Sequence, residues 1–260
     1  MRISDAPRNV ARLTARPRAM ADADERLRPG THPLSLAHGR DGLLFVPKRA
    51  GPASVPASPG AVWPLIVLLH GAGADAADIL PALRRDAERT GCLVVAPDSR
   101  DTSWDLLEGT LGPDVAFIDR ALASIFRRFV VDPAHLALAG FSDGASYALS
   151  LGLANGDLFS HLVALSPGFL SPPAERGRPR IFVAHGRRDR VLPIDRCGRR
   201  IVPMLERAGY AVTYVEFEGG HAVPRPVVGR ALDWMLAHGA EDAPDRSTWR
   251  DGCTRDEPCR

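Results

Sequence analysis

Four short stretches carry the residues that could do chemistry. The first is Gly140-Phe141-Ser142-Asp143-Gly144. A serine hydroxyl is a poor nucleophile unless it stands clear of the backbone, beside a base and beside hydrogen-bond donors. An apolar run, Leu136 to Ala139, leads into this stretch, and a run of small and apolar residues, Ala145 to Leu153, leaves it. The pattern is strand, sharp turn, helix, with Ser142 at the apex. Gly140 and Gly144 lack Cβ atoms, so strand and helix can close around the serine. The helix N-terminus behind it brings free N–H groups and positive dipole character.

The other three stretches supply partners. His221, behind Glu218-Gly219-Gly220, is the candidate general base, because an imidazole can take the serine proton and return it to a leaving group. Of the eight histidines, His185 is its rival, but it shares a loop with Asp189 and reads as structural. Asp189 is the candidate orienting carboxylate. Its competing reading is a loop salt bridge to Arg187, Arg188 or Arg190, and the chain order Ser, Asp, His decides against that. Asp195 falls too far on, and Asp98 suits a turn. The oxyanion formed in an attack on a carbonyl needs backbone donors. The expected ones are the N–H groups of Asp143 and of Ala72, in His70-Gly71-Ala72-Gly73, where the glycines allow close approach. No Gly-Lys-Ser/Thr follows that turn, which speaks against a nucleotide phosphate loop.

These residues need a frame. Leu65–Leu69 is continuously apolar, as befits a strand buried on both faces. Further strands are expected at 92–96, before Ser142, at 162–165, at 181–184 and at 211–217. Helices are expected from Asp75 or Asp78 to Arg89, after Pro113, after Ser142, from Ile194 to Ala208, and from Pro224 or Pro226 to His238. Strands alternating with helices argue for an α/β chain with a mainly parallel sheet and helices on both faces. Two strands within Leu34 to Pro47, around a Gly39–Gly42 turn, would add an antiparallel N-terminal edge. All four chemical stretches follow strands directly, where open sheets of this kind place their sites. Residues 1–33 read as an arm, 34–239 as the folded domain, and 240–260 as a polar tail.

Composition narrows the functions. The chain has 260 residues and a formal charge of +2, too little to argue for nucleic acid. Lys48 is the only lysine, so the basic side is nearly all arginine. No apolar run reaches the roughly 20 residues of a membrane span. Met1 to Arg28 lacks an apolar core for a secretory signal, which points to a cytoplasmic protein with reduced thiols. Cys92 sits in an apolar run, and Cys253 and Cys259 could pair only in an oxidising compartment. No metal-ligand spacing is seen, so no metal is expected.

Taken together, Leu68–Gly73, Ala139–Gly144, Ala184–Pro193 and Glu218–His221 resemble the α/β-hydrolase superfamily. Within it the chain is similar to compact bacterial carboxylesterase/phospholipase-type esterases, near dienelactone-hydrolase-like and polyester-depolymerase-like enzymes. The resemblance covers residues 36–238. It implies a serine hydrolase with a Ser142-His221-Asp189 triad, no cofactor and a small-molecule ester substrate. Dienelactone hydrolases carry a cysteine nucleophile where this chain has Ser142. A thioesterase or lysophospholipase would use the same residues, and a binding protein on the same fold is the non-enzymatic alternative. No stretch between the expected elements is long enough for a separate cap domain, so an open site for small to medium esters is expected. The 99–112 connection, with Trp104, Leu106 and Leu107, would wall the pocket on one side. Phe169 and Leu170, joined by Val191 and Leu192, would wall the other, with Gly71 beside the nucleophile; ordinary loop packing is the alternative for both walls. The sequence leaves open whether the chain is a monomer or a homodimer.

Overall fold

In the computed structural model the structure describes residues 11–20, 27–48, 61–106 and 112–237. Eight strands make one sheet: β1 (Gly30–Pro33), β2 (Gly42–Val46), β3 (Val62–Leu69), β4 (Leu93–Pro97), β5 (Val130–Phe141), β6 (His161–Leu165), β7 (Arg180–Gly186) and β8 (Val212–Phe217). Their spatial order is β1-β2-β4-β3-β5-β6-β7-β8. The pairs from β4 through β8 are parallel, and β1-β2 and β2-β4 are antiparallel, as the sequence led us to expect.

The central run Leu65–Leu69 shows why its residues are apolar without alternation. Leu65, Val67 and Leu69 point into one core, shared with α2 (Pro113–Arg128) and α3 (Asp143–Ala154). Ile66 and Leu68 point into the other, shared with α1 (Ala76–Thr90) and α5 (Arg225–Ala237). Burying each such side chain is worth roughly 1.5–3 kcal/mol, so a strand covered on both faces gains at every position. α1 begins on a capping box, with the Asp75 carboxylate accepting from the N–H of Ala77 and Asp78. That cap contributes about 1 kcal/mol and fixes where the chain leaves the His70–Gly73 turn. α4 (Gly198–Arg207) covers β7 and β8.

Three expectations change. The first strand is β1 at Gly30–Pro33, not within Leu34–His38, so residues 30–33 belong to the sheet rather than to an arm. The cause is Asp41, whose carboxylate accepts the N–H groups of Ser35, Leu36 and Ala37 and gathers them into a turn. The helix read as Ile194–Ala208 begins only at Gly198. Part of the expected arm is also docked. Leu13 is fully buried and its N–H donates to Asn155, while Asp119 accepts the N–H groups of Thr14 and Ala15. The tail with Cys253 and Cys259, and Leu107, lie outside the described residues. Among the described residues no helix is long and apolar enough to cross a membrane.

Candidate active site

Ser142 joins β5 to α3 with φ 57° and ψ −119°. A non-glycine residue in such a conformation costs on the order of 1–3 kcal/mol and survives only where its surroundings over-determine it. Here they do. The Ser142 N–H donates to Leu165 O at 2.9 Å, and its carbonyl accepts the N–H groups of Ala145 and Ser146. The flanking glycines are there for space. A Cβ on Gly140 would lie 2.2 Å from Gly144 O, and one on Gly144 would lie 2.4 Å from His70 O.

The chain brings its three sequence candidates into one line. His221 Nε2 lies 2.9 Å from Ser142 Oγ, and His221 Nδ1 lies 2.7 Å from Asp189 Oδ2. A carboxylate only accepts, so Nδ1 carries the proton and Nε2 presents a lone pair to the serine hydroxyl. Asp189 is itself pinned, its Oδ1 accepting the N–H groups of Val191 at 2.9 Å and Leu192 at 2.8 Å. Burial would raise its carboxyl, but the hydrogen bonds from His221, Leu192 and Val191 together hold it below the usual carboxylate range. The Asp189 side chain is inaccessible, while that of His221 stays 15% exposed, so the ring keeps an edge toward solvent. His185 takes the structural place expected of it. Its Nε2 lies 2.7 Å from Leu192 O, and burial lowers its pKa, favouring the neutral ring.

Ala72 is exposed at the tip of its turn, and Asp143 opens α3. Among the described residues neither backbone N–H has a protein acceptor. The turn lies against the serine: a Cβ on Gly71 would be 3.4 Å from Ser142 Cβ. Behind it stands a buried polar brace that sequence reasoning missed. Ser99 donates its N–H to His70 Nε2 at 2.9 Å, which leaves the proton on Nδ1, 2.7 Å from Gly71 O. Burial lowers the His70 pKa and so favours this neutral form. Arg40 donates from Nε to Ser99 O at 2.6 Å and from Nη2 to Ala74 O at 2.8 Å, and Gly73 N–H reaches Thr102 O at 2.7 Å.

Trp104 does not wall a pocket. It is fully buried, donates from Nε1 to His70 O at 2.9 Å, and packs between the rings of His70 and Tyr147. Its place is beneath the turn, because the indole N–H has a buried carbonyl to satisfy. Asp98 serves two backbone N–H groups, of Asp41 and Ala76, in keeping with its turn reading. Phe169 and Leu192 are half-buried on the loops after β6 and β7. Phe141 went unnoticed in sequence. Its ring centroid lies 4.7 Å from that of His221 and supports the imidazole. Its position next to Ser142 was the available signal. Among the described residues no three His, Cys, Asp or Glu side chains are grouped to hold a metal ion.

No protein-family model matches the sequence. Solved structures share its fold. An S-formylglutathione hydrolase from Staphylococcus aureus superposes over 81% of this chain and 99% of its own, with a TM-score of 0.63 at 18% identity. The chain has the α/β-hydrolase fold. A second structure, a ferulic acid esterase from Anaeromyces mucronatus in complex with ferulic acid, covers 86% of this chain and 98% of its own, with a TM-score of 0.60 at 14% identity. In sequence, the chain is 29% identical over 173 residues to feruloyl esterase C of Emericella nidulans. That match takes in 64% of this chain and spans 60% of the relative's length.

Proposed function

We propose that the chain is a serine hydrolase that cleaves carboxylic esters through an acyl-enzyme. The observation that carries this reading is the unbroken hydrogen-bonded line from Ser142 Oγ through His221 to a buried, anchored Asp189. Ser142 attacks the ester carbonyl as His221 takes its proton. The N–H groups of Ala72 and Asp143 receive the oxyanion, a type of contact whose loss typically costs about 10²–10³ in kcat. Asp189 holds the tautomer and stabilises the imidazolium. His221 then gives its proton to the departing alcohol, and water activated by the same ring releases the acid.

The names of its relatives make a ferulate ester the first aromatic substrate to try, beside small and medium p-nitrophenyl esters. The test is hydrolysis of methyl ferulate and p-nitrophenyl acetate by the chain and by Ser142→Ala. Turnover by the first and none by the second is expected. Equal turnover by the two would remove Ser142 from the mechanism.

A further inference from the structure

Helix α3 is buried along its length from Gly144 to Ala154. A helix so enclosed has no use for hydroxyls unless each has a partner. Ser146 and Ser150 sit four residues apart, on one face, and both are fully buried. Each closes a bond back along the helix, Ser146 Oγ donating to Ser142 O at 3.2 Å and Ser150 Oγ to Ser146 O at 2.8 Å. Each then offers its lone pairs outward to the same segment, Pro167–Ser171. Ser146 Oγ accepts the N–H groups of Gly168 at 2.8 Å and Phe169 at 3.3 Å, and Ser150 Oγ accepts that of Ser171 at 3.0 Å.

The segment is gripped from its other side too. A Cβ on Gly168 would lie 3.1 Å from Leu192 Cδ2 and 3.6 Å from Ser146 Oγ, so any larger residue there would push on Leu192. Leu192 is the residue whose N–H donates to Asp189 and whose carbonyl faces His185 Nε2. Phe169 and Leu170 are thus the half-buried apolar side chains of a strap tied to the first turn behind the nucleophile and wedged against the loop of the triad acid.

We infer that Ser146 is a positioning residue which, through Gly168 and Phe169, sets the wall that meets the larger organic group of the ester, so that Phe169 determines substrate size. The inference rests on the hydrolase reading above. An acetyl ester reaches past the serine too little to press on this wall, whereas a long or aromatic group must lie along it. A wall displaced by an ångström weakens binding of the large group, while Ser142 keeps its place through Leu165 O and the N–H groups of Ala145 and Ser146, which do not need the Ser146 hydroxyl.

The experiment compares kcat and KM for p-nitrophenyl acetate, p-nitrophenyl octanoate and methyl ferulate in the wild-type chain, Ser146→Ala, Ser146→Thr and Phe169→Ala. In Ser146→Ala the preference for the large esters over acetate should fall by up to about 10²-fold, mostly in KM, the size of effect a misplacement of about 1 Å can produce. Ser146→Thr, which keeps the hydroxyl, should restore the preference, and Phe169→Ala should reproduce the loss. An unchanged preference in Ser146→Ala with an active wild type overturns the inference alone, as does a uniform fall in kcat on all three esters that Thr does not repair. A wild-type chain that turns over no ester and takes up no fluorophosphonate overturns the hydrolase reading, and the inference with it.

Discussion

On one side of Ser142, the His70–Gly73 turn is held by groups distant in sequence. Arg40 reaches Ser99 and Ala74, Ser99 reaches His70, and Trp104 reaches the His70 carbonyl. On the other side, Asp189 is anchored by the N–H groups of Val191 and Leu192, two and three positions along its own loop. The distant brace is built of buried polar atoms that satisfy each other, so removing one member leaves several without partners. The local anchor is a tight turn whose N–H groups need only an acceptor oxygen, charged or neutral. Removing a member of the brace should therefore cost structure as well as rate, and changing the acid should cost rate alone.

The sharpest way to break this contrast is Asp189→Asn. The amide oxygen can still accept the loop N–H groups, but it no longer enforces the His221 tautomer. A loss of roughly 10⁴ in kcat is expected, with the unfolding midpoint nearly unmoved. A variant that also unfolds readily would mean that the acid side is structural as well.

Trp104→Ala is the converse. It should cost about 3–5 kcal/mol of stability in urea unfolding, as removal of a buried aromatic does, while the ester-size profile stays as it was. A changed profile would return Trp104 to the pocket wall. Arg40→Ala stands between the two. Freed from its brace, the turn should misplace the Ala72 N–H and lower kcat by about 10²-fold with little change in KM.

Legibility in the sequence follows the same division. Ser142, Asp189 and His221 could be read because each follows closely on a strand, and the glycines around Ser142 and His221 punctuate the turns that expose them. The sheet could be read because a strand covered on both faces leaves a continuous apolar run. Arg40 could not, since a turn arginine between Gly39 and Gly42 looks like a solvated residue until the fold sets it beside Ser99. Trp104 misled for a related reason. A large aromatic in a long connection fits a pocket wall and a buried floor equally well, and only the neighbourhood of His70 and Tyr147 decides. The first strand was misplaced because the turn signal in Asp41 acts through its side chain, on residues that otherwise look extended.

The smallest effect sharpens the picture beneath Trp104. Asp114 accepts the N–H groups of Arg100 and Asp105 and so holds the segment that carries the indole. Burial, with help from the Asp105 carboxylate, pushes its carboxyl up from 3.8 to about 6, against those two N–H bonds. The folded chain thus holds this proton more tightly than the unfolded one. The contribution of Asp114 to stability is greatest at and below about pH 4, declines as pH rises to about 6, and is level above. Urea midpoints across that range should rise more steeply with pH in Asp114→Asn than in the wild type, where the Asp114 decline offsets the gain from the buried, neutral His70 and His185. The same slope in both chains would exclude Asp114 as the source of such a decline.

The central claim is that Ser142 is the nucleophile and His221 its base. Peptide mapping by mass spectrometry after brief treatment with a fluorophosphonate tests it most directly. The expected adduct sits on the peptide carrying Ser142, disappears in Ser142→Ala, and forms far more slowly in His221→Ala. An adduct on another residue, or one that forms equally fast without His221, would contradict it.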